Sequence, residues 1–330
     1  MRNWLLVLIA ACGSDNGSLT FEQYAAQAES AYCNYLARCG LFPDAATCES
    51  AQNGVSFTNS QSAADAIGSG KITFFGDNAA ACLAAISNAS CDSTMTRTTP
   101  AACYGIAAGT VGSGGMCAVS EECISQECDV PSCGSACCQG TCIGNTPPMP
   151  AATGMPCAFG ASTTPCVAGD FCDFQSETCE PYVAAGSACM ESSDCAPGLG
   201  CVGTPETCKA LPGTGSACLD EVCANIGEHC GSAGTCVKDG LPGDTCTTNA
   251  DCSPYFPCDA SGHCAKGPGL GQSCNSGTCF DAGTYCTDET GSAMPICAAQ
   301  GSDGAPCTAS DQCVSGVCAG SACVEPTVCF

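Results

Sequence analysis

Apolar positions fall into two regimes along this chain. From Leu19 they follow a helical period: Phe21, Tyr24, Ala28, Tyr32, Tyr35 and Cys39 recur at three- and four-residue steps, which puts them on one face of a helix. Thr20-Phe21-Glu22-Gln23 supplies a capping box at its start. Asp44 is placed to cap a second helix, and Asp77 precedes a third over Asn78 to Ile86. Ser56 to Gly70 is polar and small and reads as a loop, after which Lys71-Ile72-Thr73-Phe74-Phe75 packs back on the helices. The aromatic face is expected to be core, with a ligand groove as the alternative. Past Val111 the helical period stops. Gly, Pro, Asn and Asp dominate between regularly spaced cysteines, so turns and two short strands per unit are predicted there, without helices.

Those units are repeats. A Gly-x-x-Cys opening falls at Cys117, Cys157, Cys189, Cys218, Cys246, Cys274 and Cys307, which predicts seven modules. Five hold four cysteines: Cys157, Cys166, Cys172 and Cys179; Cys189, Cys195, Cys201 and Cys208; Cys218, Cys223, Cys230 and Cys236; Cys246, Cys252, Cys258 and Cys264; Cys274, Cys279, Cys286 and Cys297. The first holds Cys117, Cys123, Cys128, Cys133, Cys137, Cys138 and Cys142, and the last Cys307, Cys313, Cys318, Cys323 and Cys329. Odd counts at both ends favour a bridge between modules over two free thiols. Vicinal Cys137 and Cys138 are expected to reach different partners, because pairing adjacent residues strains the ring.

The stretch Gly243 to Cys264 shows what must hold such a unit. Its large apolar neighbours are Leu241, Tyr255 and Phe256. Burying three such side chains yields about 6–9 kcal/mol, while ordering each residue opposes folding by about 1.5 kcal/mol. Two disulfides per module are therefore expected, each worth about 2–4 kcal/mol. Four cysteines allow three pairings; the interleaved arrangement, first to third and second to fourth, is favoured.

Composition enters at this point. Leu, Ile, Val and Phe are only 46 of 330 residues and the net charge is -25, which without the cysteines would read as disorder. The 39 cysteines place the chain instead among disulfide scaffolds of an oxidising compartment. No Cys-x-x-Cys occurs, and His229 and His263 are the two histidines, so zinc ribbons, knuckles and thioredoxin-type redox pairs are not indicated. With seven Lys and Arg against 32 Asp and Glu, a nucleic-acid partner would be repelled. From Gly115 onward the cations are Lys209, Lys238 and Lys266; the acidic excess there is read as solubility, with cation or basic-partner binding as the alternative.

The chain begins Met1-Arg2-Asn3 and continues with the apolar run Trp4 to Ala11, too short to span a bilayer and read as a targeting segment. Ile9-Ala10-Ala11-Cys12 resembles the lipobox of bacterial lipoproteins, which implies diacylation of Cys12 as the new N-terminus. Removing Cys12 leaves an even number of cysteines for pairing. An ordinary secretory signal, with Cys12 as a spare thiol, is the alternative. By analogy with the sorting rule of enteric bacteria, Gly13 after the lipidated cysteine implies the outer membrane.

The expected organisation is a small disulfide-rich fold: signal peptide 1–11, lipidated tether 12–18, helical domain 19–107, linker 108–114, then modules 1 to 7 at 115–146, 154–181, 186–210, 215–238, 243–266, 271–299 and 304–330. Cys33, Cys39, Cys48, Cys82, Cys91 and Cys103 would staple the helical domain with three bridges. Pro/Gly-rich connectors such as Pro147-Pro148-Met149-Pro150 and Leu211-Pro212-Gly213 predict semi-rigid joints without a packed interface, hence an elongated array.

The repeat, with Ser193-Asp194-Cys195-Ala196-Pro197-Gly198-Leu199-Gly200-Cys201 as its closest stretch, resembles the dickkopf-type N-terminal cysteine-rich module and the similar EB-type module. A lipobox, a helical six-cysteine domain and such modules in series together resemble cysteine-rich surface lipoproteins of myxobacteria. The resemblance implies surface exposure and interaction, and carries no activity with it. Glu122, Asp194, Asp251 and Asp311 precede or nearly precede the second cysteine of their modules; an Asx-type turn that aims the cysteine is preferred to a calcium ligand, since one acid per copy lacks the oxygen donors calcium needs. None of Gly-x-Ser-x-Gly, His-Glu-x-x-His or Gly-x-x-x-x-Gly-Lys occurs, and His229 and His263, each beside a cysteine, are expected to be structural or solvent-facing. The expected protein is non-enzymatic, without catalytic residues, metal or cofactor. It is held to the outer membrane through lipid, at the surface or periplasmic face, or else is secreted, and its modules serve as a protease-resistant stalk and an interaction surface for an extracellular protein or glycan. The alternatives are a metal-sequestering protein, or an enzyme or protease inhibitor confined to the helical domain.

Overall fold

Helix α1 (Phe21–Arg38) starts where Thr20 closes a reciprocal cap with Gln23: the Thr20 hydroxyl accepts from Gln23 N–H, and Gln23 Oε1 accepts from Thr20 N–H. The computed structural model describes residues 18–51, 60–92, 101–130, 139–147, 149–157, 166–167, 169–173, 175–274, 279–287 and 295–324. The signal segment, Cys12, Cys133, Cys137, Cys138 and Cys329 lie outside the described residues. So do the expectations about lipidation, vicinal cysteines and a bridge between the end modules.

Two faces of α1 are buried. Tyr24 and Ala28 pack against Ala79, Cys82 and Leu83 of a helix farther along the chain, α4 (Gly76–Asn88). Cys33, Tyr35 and Leu36 belong to a second and larger cluster. The aromatic face is thus core, and Phe74 closes its edge with rings at 5.5 Å from Phe21 and 5.8 Å from Tyr24. Short α2 (Ala45–Glu49) is capped by Asp44, whose carboxylate accepts from Thr47 N–H at 2.6 Å. Strands β1 (Ile72–Phe74) and β2 (Ala107–Gly109) pair antiparallel. The bridges are Cys33–Cys48, Cys39–Cys91 and Cys82–Cys103. At the C-terminal end of α4 the Arg38 guanidinium donates to the carbonyls of Ser87 and Ala89, satisfying acceptors that the helix leaves open.

Two local expectations are corrected. Residues 60–68, read as part of a loop, form helix α3 (Ser60–Gly68). Ala63, Ala64 and Ala66 favour a helix despite their small size, and Ala66 is wholly buried. Helix α4 begins at Gly76 with Phe75 in the cap position, so Asp77 is not the cap. It lies in the first turn, where a carboxylate meets the positive end of the helix dipole.

The modules are small antiparallel ladders, two-stranded where strands are assigned and three-stranded in module 1, with no closed sheet among the described residues. All 34 described cysteines are bridged. Modules 4, 5 and 6 do not stand apart as a free rod. Phe42, 1% exposed just after α1, has its ring 4.4 Å from Tyr255 and 5.5 Å from Phe256, and Phe256 stacks on Phe280 at 5.8 Å. The Ser253 hydroxyl donates to Leu41 O at 2.7 Å, Ala282 N–H to Ser50 O at 3.0 Å, and Ile226 N–H to Cys91 O at 2.9 Å. Gly227 meets the Cys39 carbonyl so closely that a Cβ has no room. The helical domain is therefore a platform to which three modules are docked, whereas connector composition predicts joints without a packed interface.

Phe42→Ala is expected to destabilise the protein by about 3–5 kcal/mol in chemical denaturation, and to raise hydrogen exchange at Ser253 and Ala282 more than at module 2.

Candidate functional site: the repeated frame and its joints

Each module is tied by the same backbone closure. The glycine of Gly-x-x-Cys has positive φ in all seven copies, from 78° at Gly154 to 99° at Gly243. That conformation aims its N–H at the carbonyl of the closing cysteine: Gly243 to Cys264 O at 2.8 Å, with equivalents at 2.7–2.8 Å in the other six. The closing cysteine returns its own N–H to the carbonyl two residues before the first cysteine, as Cys264 does to Asp244 O at 2.8 Å. Across this closure run two crossing bridges. The pairing is first to third and second to fourth in modules 2 to 6, for example Cys246–Cys258 with Cys252–Cys264. Modules 1 and 7 keep the crossing as Cys117–Cys128 with Cys123–Cys142 and Cys307–Cys318 with Cys313–Cys323. The clusters of sulfur atoms inside the modules are these knots, and a bridged sulfur is not a thiolate ligand.

The joints are as regular as the modules. Six residues before each first cysteine stand Val111, Ala151, Val183, Pro212, Gly240, Pro268 and Gly301. The carbonyl of each accepts the N–H of the residue after the second cysteine, at 2.8–3.0 Å, as Gly240 does from Ser253. Val111, Val183, Gly240 and Gly301 also donate to the residue before that cysteine. Connectors are thus stitched to the module that follows. Pro212 and Pro268, lacking an N–H, make only the accepting half.

Beside this stitch stands the repeated side chain expected to shape a turn. Asp194 Oδ2 accepts from Met190 and Glu191 N–H at 2.9 and 3.0 Å, and Glu122 Oε2 from Ala118 N–H at 3.0 Å. Asp251 Oδ2 accepts from Thr247 N–H and hydroxyl at 2.7 Å and from Thr248 N–H at 2.8 Å. In module 7 the role falls to Gln312, whose Oε1 accepts from Thr308 N–H at 2.8 Å, and not to Asp311. An amide oxygen serves because the turn needs an acceptor, not a charge. Glu122 also acts across a boundary. Wholly buried, it pairs with Lys71 Nζ at 3.1 Å and so ties module 1 to the helical domain.

The two histidines part company. His263 stays within its turn, its Nδ1 at 3.2 Å from the Ser261 hydroxyl and its N–H on Asp259 Oδ1 at 3.0 Å. His229 sits between carboxylates of two units: Nδ1 is 2.8 Å from Asp239 Oδ1 and Nε2 is 3.9 Å from Asp251 Oδ1. They flank an open cleft of about 490 Å³ at the joint of modules 4 and 5, also lined by Lys238 and Asp244. Burial pushes the Asp239 carboxyl up, opposed by its bond to His229. The Thr247 hydroxyl, with the Thr247 and Thr248 N–H groups, holds Asp251 down to about 2. In the sequence His229 is marked only by the cysteine beside it. The contact with Asp251 crosses a module joint, and cysteine spacing carries no signal for it.

The fold and site define a small disulfide-rich protein with 17 described bridges, few helices and many short strand pairs. No family model matches the chain, and neither the curated proteins nor the solved structures include a match. Among the described residues no helix is long and apolar enough to cross a membrane.

Asp251 is expected to titrate near pH 2 in a carboxyl-resolved NMR titration. Because that lies below the unfolded value of about 3.9, its contribution to stability is present above pH ~4 and disappears as pH falls through 2. Asp251→Asn should flatten stability between those limits. Gly243→Ala meets no heavy atom within 4 Å, so its effect is backbone strain alone; a loss of about 1–2 kcal/mol is expected in thermal unfolding.

Proposed function

We propose that this chain is a non-enzymatic, surface-displayed lipoprotein of the myxobacterial cysteine-rich type, with dickkopf- or EB-like modules that form a protease-resistant interaction scaffold. Diacylated Cys12 would hold it to the outer membrane, residues 13–18 would act as tether, and the exposed faces of the modules would meet an extracellular protein or glycan. The observation that carries this reading is the bridging of every described cysteine, those of the seven modules within one repeated frame. Such bridging suits an extracellular or surface location, and it leaves many side chains between cysteines, apart from the turn acceptor, free to vary without loss of the frame. Docking of modules 4 to 6 on the helical domain makes the proposed scaffold a shaped platform over that region. Its surface field is acidic, with Lys209, Lys238 and Lys266 as the cations beyond Gly115, which would slow approach of anionic partners and favour basic ones.

Intact mass of the natively purified protein, alkylated before and after reduction, tests this. A chain starting at diacylated Cys12 and unlabelled before reduction is expected. An unlipidated chain with many labelled thiols would overturn both anchor and scaffold.

A further inference from the structure

The cleft at the joint of modules 4 and 5 holds groups that the scaffold does not need. The crossing disulfides already hold each module and the Gly240 stitch holds the joint, yet His229, Asp239 and Asp251 converge on it from both sides. Their roles differ by geometry. Asp239 Oδ1 lies 2.8 Å from His229 Nδ1, and the Asp239 side chain is only 7% exposed. An ionised carboxylate accepts only, so Nδ1 carries a proton, and in the neutral form of the ring the Nε2 lone pair faces the cleft. A carboxylate behind the far nitrogen of an imidazole is the orienting arrangement common to metal-bound histidines. Asp251 is aimed separately: its Oδ2 is held by three donors from Thr247 and Thr248, which turns Oδ1 toward Nε2.

The distance between those atoms is informative. At 3.9 Å they do not bond to each other. Two donors bound to one zinc-sized ion at about 2.0–2.2 Å lie about 3.4 Å apart at a tetrahedral angle and at most about 4.3 Å apart. An ion therefore fits between them with a side-chain shift of about half an ångström. Asp244 lines the same wall, and Glu228 adds negative charge beside Asp239, against exposed Lys238 on the rim.

We propose that this cleft binds a divalent transition cation of the zinc class, with His229 Nε2 and Asp251 Oδ1 as protein donors, Asp239 as the positioning residue, and water in the remaining positions. The ion clamps module 4 to module 5. The site is independent of the anchor and of the partner proposed above, and it uses no cysteine.

The test uses the full disulfide-bonded chain, with any free thiols alkylated and metals stripped by chelator, titrated with Zn²⁺ against a chromophoric competitor. One saturable site is expected. H229Q and D251N should each weaken it at least tenfold, D239N by about 10- to 100-fold, and H263Q should leave it unchanged. Unaltered far-UV circular dichroism and an intact disulfide count show that each variant is folded. Absence of binding up to millimolar Zn²⁺, or equal binding by wild type and H229Q, would overturn the proposal, as would loss of the site in H263Q alone.

Discussion

The constraint on which this structure rests is the crossing of two disulfides over a ladder too short to hold itself. A strand pair such as Glu228–Cys230 with Cys236–Lys238 offers three residues a side and leaves Val237 exposed. Isolated hairpins are marginal even when longer. The bridges change this by removing conformations from the unfolded chain rather than by adding native contacts. Their crossing also decides the shape, because Cys218–Cys230 and Cys223–Cys236 overlap in sequence and cannot both close unless the first half of the module folds over the second. The positive-φ glycine then places the start of the module against its closing cysteine. The residues between are released from packing, which is why most large apolar side chains in the array are half-exposed or absent.

A frame that needs no core has surface to spare for docking, and the chain uses it unevenly. Every module has the same closure, yet module 5 carries the Tyr255-Phe256 pair and module 6 carries Phe280 at the residue after its second cysteine. These aromatics gather around Phe42, on the chain that leaves α1, while Ser253 and Ala282 bond to carbonyls beside it. The helical domain thereby gains the larger of its two apolar clusters only by sharing it with the array. Neither part buries these rings alone. Lys71 with Glu122 repeats the same logic at module 1 by charge, where a buried carboxylate must be paired to be tolerated.

How much of this can be read from the residues follows from the range of each interaction. The capping box at Thr20 and the cap at Asp44 act over three residues and are legible as written. Cysteine order shows that the modules share one pairing but leaves three open; the interleaved one is settled by the folded geometry. Helix α3 is hidden because Ser60-Gln61-Ser62 resembles linker chemistry and Ala66, buried in the folded chain, is too small to mark a core position. Asp311 stands out over Gln312 only when charge is taken as the signal, whereas the turn asks for an oxygen. Docking of modules 4 to 6 is invisible for a deeper reason. It depends on contacts such as Ser253 with Leu41, 212 residues apart, and nothing in local composition separates an exposed aromatic from one with a distant partner.

The stitched connectors bear on what such an array can do. A Pro/Gly-rich linker with no hydrogen bonds would let neighbouring modules rotate, and groups on different modules would meet only in passing. Here the connector residue six before each first cysteine is bonded to the module ahead of it, and at Val183, Pro212, Gly240 and Gly301 the chain just before it belongs to the last strand of the module behind. At Gly240 the two attachments are almost adjacent: Lys238 still pairs with Glu228, and Gly240 already pairs across to Ser253 and Asp251. Two residues cannot absorb much rotation. Side chains on either side of that joint are held at fixed separation by these short attachments, which is the condition for building a site from two modules. His229 facing Asp251 across the joint is the consequence of that geometry.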